Sequence, residues 1–374
     1  MAGGSIPPVG TTQEHETMHA PEQFSGALPF AHFTGLEQRL LARLRSRAFA
    51  PDDLLVVGFS GGIDSLALAA ALSRLARRQP VRLLLAHVDH RLRPESSAEQ
   101  RRAADLAAAL GTPFRPLRPA ACPVETHPGQ GVEEAARRER YRLLAGLVRS
   151  EGAAALVLAH QEEDQAESVL LHLLRGAGLT GARAMAEWGE LGVPWWDDGG
   201  EPRPLPLWRP LLRERRATLA AFVTDLGLEP IQDPSNDDPA FRRNALRHAA
   251  LPLLERISPG VVPALARYAA IAAEEDAVLA AWGERVRREA TGDDGSLRAA
   301  PLLAAPPAVA RRAVRSWLTR SGVTDLTAER TAAVLDLLRP VASGRTIELG
   351  HGLVAGARAG RVALRRSGAM GDGG

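Results

Sequence analysis

Residues 54–76 read LLVVGFSGGIDSLALAAALSRLA. The first six, LLVVGF (54–59), form an apolar run too short for a helix and read as a buried strand. A leucine/alanine helix follows over 62–78, and the polar loop Ser60-Gly61-Gly62-Ile63-Asp64-Ser65 joins the two. Two glycines let the backbone turn sharply and bring its N–H groups close to a ligand. The helix then aims its positive end and its unpaired N–H groups at the same spot. Hydroxyls at Ser60 and Ser65 add donors, so the loop is suited to a phosphate. A Walker A loop needs a lysine, and all 46 basic residues counted as Lys+Arg are arginine. The glycine spacing also fails the dinucleotide fingerprint G-x-G-x-x-G. Asp64 would repel a bare phosphate, which implies a divalent cation between the two.

Working outward, short apolar runs alternate with helices. VRLLLAHVDH (81–90) reads as a strand, 96–110 as a helix, PFRPLRP as a short third strand, and GVEEAARRERYRLLAGLVRSEG as a long helix. AALVLAH (154–160) is another strand, and EEDQAESVLLHLLRG another helix. This alternation predicts an α/β fold with a parallel, doubly wound sheet. Ligands of such sheets sit at the carboxyl ends of strands, and polar clusters occupy three of those ends: 60–65, 87–90 and 160–167. Residues 186–208, rich in Pro, Gly and Trp, read as an irregular loop. From about 250 the pattern is helical, over 252–291 and 307–340 with a Gly/Pro-rich break. GRTIELGHGLVAGARAGRVALRR then offers three short alternating runs, a small β-meander. The expected organisation is a disordered extension over 1–34, a catalytic domain over 35–250, a helical and β region over 251–365, and a tail over 366–374.

Composition narrows the class. The 374 residues carry a formal net charge of +2, so any nucleic-acid partner must be met by local arginine clusters rather than by overall charge. The single cysteine, Cys122, excludes an internal disulfide framework and any Cys-x-x-Cys metal site. No stretch approaches the roughly 18 apolar residues of a membrane span. The N-terminus lacks the basic and apolar regions of a signal peptide. A cytoplasmic location is expected.

Further clusters carry candidate chemistry. His87-Val88-Asp89-His90 ends the second strand and reads as a nucleotide-facing loop, a metal pair or plain exposed residues. His160 ends a later strand. Asp164 and Glu167 follow one helical turn apart on one face, and Arg175 returns to nearly that azimuth three turns on. A second carboxylate from a second strand end suits a Mg²⁺-ATP site, because the ion neutralises phosphates better when held from both sides. Arg137, Arg140 and Tyr141 fall within one turn. RPLL (209–212) precedes DPSNDDPAFRRNALRH (233–248), where Arg242, Arg243, Asn244, Arg247 and His248 crowd a helix suited to bidentate grip of RNA phosphates. In RRAVRSWLTR (311–320), Val314, Trp317 and Leu318 point inward and Arg311, Arg312, Arg315 and Arg320 outward.

The SGGIDS loop resembles that of the N-type ATP pyrophosphatases, which adenylate a carbonyl and release pyrophosphate; their fold is adenine nucleotide alpha hydrolase-like. The ordered set SGGIDS, HVDHRLR, EAARRERY, AHQEEDQAE with RGAGLTG, RPLL, and DPSN with RNALR resembles one family among them, the tRNA(Ile)-lysidine synthetases. It spans roughly 54–250, with Gln161 standing where asparagine is expected and Phe241 where tyrosine is usual. That resemblance implies ATP and Mg²⁺ as cofactors, and a tRNA(Ile) with a CAU anticodon and free lysine as substrates. Ser60, Gly61, Gly62, Ile63, Asp64 and Ser65 would bind ATP together with His87, Asp89 and His90. Asp64 and Asp164 would hold the metal, and His160 would sit by the α-phosphate. Glu167 would take the lysine ammonium or the departing proton, and Arg175 would stabilise phosphate charge. Arg137, Arg140, Arg242, Arg243, Asn244, Arg247, Arg311 and Arg315 are the expected tRNA contacts. A homodimer stays open. The rivals are a tRNA thiolase, which moves sulfur through cysteines, an amidotransferase-type pyrophosphatase, which needs an ammonia-producing domain, and a non-catalytic ATP- or RNA-binding module.

Overall fold

The computed structural model describes residues 33–89, 96–191, 204–232, 242–323, 326–339, 342–350 and 352–366. His90, the 233–241 stretch with Phe241, and nearly all of the expected N-terminal extension and C-terminal tail lie outside them. The first half runs α1 (Gly35–Ser46), β1 (Asp53–Gly58), α2 (Ile63–Ala76), β2 (Val81–Val88), α3 (Ser96–Ala109), β3 (Phe114–Leu117), α4 (Pro123–Thr126), α5 (Val132–Ser150) and β4 (Ala155–Val157). Next come α6 (Glu162–Leu174), α7 (Leu179–Ala182), β5 (Trp188–Leu191), β6 (Leu205–Trp208), α8 (Arg216–Asp225) and α9 (Arg242–Ala245). A π-helical turn (Leu246–Ala250), α10 (Leu251–Ile257), α11 (Val261–Ala290), β7 (Leu297–Arg298), α12 (Ala299–Ala304), α13 (Pro307–Arg320) and α14 (Ala328–Leu337) follow. β8 (Thr346–Gly350), β9 (Leu353–Arg358) and β10 (Arg361–Arg366) close the chain order. The chain divides into two compact units, Met1–Gln161 with Glu187–Ser235 and Glu162–Ala186 with Asn236–Gly374.

In the first unit β1 pairs in parallel with β2 on one side and β4 on the other, within the six-stranded order β3-β2-β1-β4-β6-β5. Only β5 runs antiparallel to its neighbour. Successive side chains of a strand face opposite ways, and β1 shows the result. Leu55 and Val57 enter a core with α1, α2, α3 and α8, while Val56 enters another with Tyr141, Leu144 and Val148 of α5. Helices therefore cover both faces. α2 is buried from Ser65 to Leu75, as its all-round apolar sequence requires. A capping box on Thr34 starts α1, whose buried Glu37 is paired at 2.5 Å with Arg74 of α2.

The 186–208 stretch, read as an irregular loop, carries a strand at each of its described ends. Trp188–Leu191 and Leu205–Trp208 are sheet strands, β6 pairing with β4 through Leu156↔Leu207 and Val157↔Trp208. Pro206 lies just before that ladder, so its missing N–H breaks no β4–β6 hydrogen bond.

In the second unit, the long helix α11 packs against α6, α7 and α13. Each of the two helical stretches is interrupted, at Ser258-Pro259-Gly260 and after Arg320. The expected meander is present as β8, β9 and β10, and β7, from the break between the helices, joins it to give the order β7-β10-β9-β8. Val314, Trp317 and Leu318 are buried there as expected, with Trp317 Nε1 donating to the Gly295 carbonyl at 2.9 Å.

Candidate active site

In the first unit the carboxyl ends of β1, β2 and β4 lie side by side, carrying Ser60–Ser65, His87 with Asp89, and His160 with Gln161. The Ser60–Ser65 loop is folded by its own hydrogen bonds. Ser60 N–H donates to Ser65 Oγ at 3.2 Å, the two hydroxyl oxygens are 3.0 Å apart, and Ser65 Oγ donates to the Gly62 carbonyl at 3.1 Å. The hydroxyls thus shape the loop as well as offering donors. Gly61 has φ +80°, a left-handed conformation that glycine alone adopts cheaply. Gly62 caps α2 without a side-chain hydrogen bond, so no N-cap side chain covers the start of the helix. Asp64 stands in the first turn of that helix.

Ile231 sits directly on this loop, and no pattern in the sequence marked it. Its N–H donates to the Gly61 carbonyl at 2.9 Å, and a Cβ added to Gly61 would meet Ile231 Cγ1 at 2.9 Å and Cδ1 closer still. The loop is therefore held from inside by serines and from outside by Ile231.

His87 is buried, and its Nδ1 lies 2.9 Å from the Phe59 carbonyl. Burial pushes its pKa down, against the pull of that carbonyl and of Asp89. The ring is neutral at pH 7, with Nδ1–H donating to Phe59, and it steadies the exit of β1. Asp89 is buried and accepts two hydrogen bonds from Arg118, at 2.9 and 3.1 Å.

On α5, Arg137 and Arg140 flank the buried ring of Tyr141 at 5.1 and 5.7 Å. Arg209, of the RPLL stretch, is buried beside the same tyrosine; burial lowers its pKa, and Tyr141 partly offsets that. Arg39 and Arg43 of α1 pair with the buried Glu214 in the following turn.

In the second unit, α6 presents Asp164 and Glu167 on one face, as their spacing predicts. Arg243 Nε lies 2.7 Å from Glu167 Oε2, and Arg247 Nε lies 2.7 Å from Oε1. Arg247 also reaches Asp164 Oδ1 at 3.0 Å. Two arginines expected to face RNA are thus paired with the two carboxylates expected to do chemistry. Asn244 is buried between them in sequence, while Arg242 is exposed. Arg175 follows the end of α6 and, with Arg242, rims a cavity of about 490 Å³ floored by Leu171, Leu246 and Leu253. Eleven residues at 1.5 Å each separate Arg175 from Asp164 along the helix, about 16 Å.

Arg311 is exposed on α13, and Arg315 donates to the Leu326 carbonyl at 2.9 Å. Arg312 does not point outward as expected. It pairs at 2.6 Å with the buried Asp276, which also binds Arg183 and Thr180, because a buried carboxylate recruits the nearest cations. Among the described residues no group of three or more His, Cys, Asp or Glu could hold a metal. Magnesium is commonly held by one or two carboxylates completed by substrate phosphates, and such a site needs no larger cluster.

Residues 34–254 match the PP-loop domain and residues 297–367 match the TilS substrate binding domain. The fold and the loop thus define a PP-loop protein, a class that uses ATP. The tRNA(Ile)-lysidine synthase of Rhodococcus erythropolis is 38% identical over 335 residues, covering 88% of this chain and 95% of its own. That of Thermus thermophilus is 38% identical over 324 residues, or 86% of this chain, which spans only 59% of that relative. The chain belongs to the tRNA(Ile)-lysidine synthase family. Among solved structures, the U34-tRNA thiolase NcsA of Methanococcus maripaludis matches with a TM-score of 0.52 and 15% identity, over 63% of this chain and 78% of that one. At that identity the fold alone is shared.

Proposed function

We propose that this chain is an ATP-dependent ligase that forms lysidine at the wobble cytidine of a tRNA(Ile) with a CAU anticodon. The C2 oxygen of the base attacks the α-phosphorus of ATP and pyrophosphate leaves. The side-chain amine of free lysine then attacks C2, AMP leaves with the oxygen, and the amine sheds its protons. The observation that carries this reading is the Ser60–Ser65 loop, set against an uncapped helix N-terminus and clamped with Gly61 left-handed, in a chain of this family. N–H donors fixed in advance stabilise charge developing on a leaving pyrophosphate without reorganising.

In this reading the loop binds the ATP phosphates, and His87 and Asp89 shape the neighbouring strand end. Asp64 and Asp164 are the residues that would hold Mg²⁺, whose charge substitutes for the lysine that the loop lacks. His160 faces the α-phosphate, and Glu167 holds the lysine ammonium or accepts its proton. Residues 35–250 form the catalytic region and 251–365 the tRNA-binding region, where Arg311 and Arg315 meet the RNA backbone. No helix among the described residues is long and apolar enough to cross a membrane; we place the reaction in the cytoplasm. A thiolase reading finds only Cys122 to move sulfur.

Incubation with Mg-ATP, labelled lysine and a tRNA(Ile) CAU transcript tests this. Lysine incorporation is expected, with ATP–pyrophosphate exchange supported by RNA. Absence of both sinks the assignment.

A further inference from the structure

The two sides of the Gly61–Gly62 peptide meet different surroundings. Its carbonyl oxygen, on the buried Gly61, accepts from Ile231 N–H at 2.9 Å. Its N–H, on Gly62, lies 3.4 Å from Oγ of the exposed Ser60. A planar trans peptide holds its C=O and N–H in opposite directions, so the bond to Ile231 fixes where the Gly62 N–H points. It points toward the Ser60 hydroxyl, on the solvent side of the loop.

Within the loop that orientation has weak support, since 3.4 Å is long for an N–H···O hydrogen bond. The serine bonds engage Ser60 N–H and the Gly62 carbonyl, on either side of this peptide. Neither glycine carries a Cβ, so the peptide between them can turn over with little steric resistance. Turned over, it would present a carbonyl oxygen where a phosphate needs a donor. Ile231 is placed to prevent this. It is buried in the same core as Leu219, Phe222 and Val223 of α8, a helix that packs on α2. Its side chain fills the space over Gly61, where an added Cβ would lie 2.9 Å from its Cγ1.

We infer that Ile231 is a positioning residue of the phosphate site: it locks the Gly61–Gly62 peptide with the carbonyl inward, which keeps the Gly62 N–H aimed at the leaving pyrophosphate before ATP arrives. This rests on the reading that Ser60–Ser65 binds the ATP phosphates. Ile231 itself touches no phosphate and acts through Gly62. A donor fixed in advance needs no reorganisation as charge develops on the leaving group.

The test is NMR of the full chain carrying isotope-labelled isoleucine nitrogen. The chain has six isoleucines, of which Ile63 lies in the loop and Ile231 packs on it. Loss of one amide signal in Ile63→Val and of another in Ile231→Val identifies the two. Without ligand, the Ile231 amide is expected to exchange with solvent at least about a hundred-fold more slowly than an unprotected amide. Magnesium pyrophosphate is expected to shift the Ile63 signal and to leave that protection in place. Ile231→Pro removes the N–H. With near-UV circular dichroism matching wild type, it is expected to bind pyrophosphate and ATP at least about ten-fold more weakly, and AMP less than about two-fold more weakly. Fast exchange of Ile231 in the ligand-free wild type overturns the lock, and that measurement needs no proline variant to fold. Unchanged pyrophosphate affinity in Ile231→Pro overturns it as well. So does an equal loss for pyrophosphate and AMP, which marks a purely structural role. If Ile63 shifts while Ile231 exchanges freely, the lock falls and the phosphate reading of the loop stands. If Ile63 ignores both pyrophosphate and ATP, that reading itself fails.

Discussion

The phosphate loop and the α6 carboxylate cluster reach order by opposite routes. Ser60–Ser65 is built within six consecutive residues, by two serines bonding to each other and a glycine in a left-handed turn. Ile231 is its one distant support noted above. Asp164 and Glu167 pair with Arg243 and Arg247, far along the chain. A backbone nest has its donors fixed before a ligand arrives. An ion-paired cluster takes its order from contacts between distant segments. The first arrangement suits a phosphate that must be gripped, and the second ties α6 to the helical turns that carry Arg243 and Arg247.

The largest expected effect tests the second region. Glu167→Ala leaves two guanidiniums without their shared carboxylate, and breaking buried pairs of this kind costs about 3–5 kcal/mol. A fall in melting temperature of several degrees and loss of lysine incorporation are expected in thermal melts and the transfer assay. Glu167→Gln, which keeps the shape and one acceptor, should melt between the two. If Glu167→Ala melts like wild type, the cluster does not carry the order ascribed to it.

The next test concerns the first region. Gly61→Ala pays about 1–2 kcal/mol for the left-handed backbone and adds a collision with Ile231. The KM for ATP in the exchange assay should rise about ten-fold or more. Ile231→Ala removes the colliding atoms but not the strain. The double variant should therefore bind ATP better than the sum of single effects predicts, with a coupling of about 0.5–3 kcal/mol. Strict additivity would show that Ile231 does not clamp the loop.

How far each region could be read beforehand follows from the same contrast. SGGIDS was legible because a phosphate nest needs a contiguous run of glycine and hydroxyl residues ahead of a helix. The shared face of Asp164 and Glu167 was legible from helical spacing. Their pairing with Arg243 and Arg247 was not, since helix period places residues within an element and says nothing of contacts between elements. Ile231 carried no signal, because an apolar residue in a loop looks the same whether it packs on a core or on a phosphate nest. β5 and β6 were hidden by Pro204, Pro206 and the intervening glycines, which weaken a strand reading even though Pro206 stands opposite Glu190 in the β5–β6 ladder. Arg312 looked exposed by azimuth until buried Asp276 claimed it.

Smaller effects separate RNA contact from architecture. Arg311 is exposed, whereas Arg315 also ties α13 to Leu326. Arg311→Ala should lower the slope of log affinity against log salt for the tRNA by about one, without changing the melting temperature. Arg315→Ala should lower both. Filter binding at several salt concentrations reads the slope, and an unchanged slope for Arg311 would remove α13 from the RNA path.

The smallest expected effect is a pH dependence in the first region. Burial holds the pKa of His87 below its ordinary value near 6.5. The unfolded chain therefore binds a proton at a pH where the folded chain does not. Stability then rises with pH wherever the unfolded state holds more protons. The contribution of His87 is complete above about 6.5 and declines as pH falls from there toward the folded pKa. His87→Asn keeps an N–H donor for the Phe59 carbonyl but cannot titrate. Wild type should lose more melting temperature than His87→Asn between pH 7.5 and 5.5, while the two respond alike between pH 7.5 and 8.5. Equal losses on acidification would mean that the imidazole is protonated in place, and that the end of β1 depends on a charged ring rather than a neutral one.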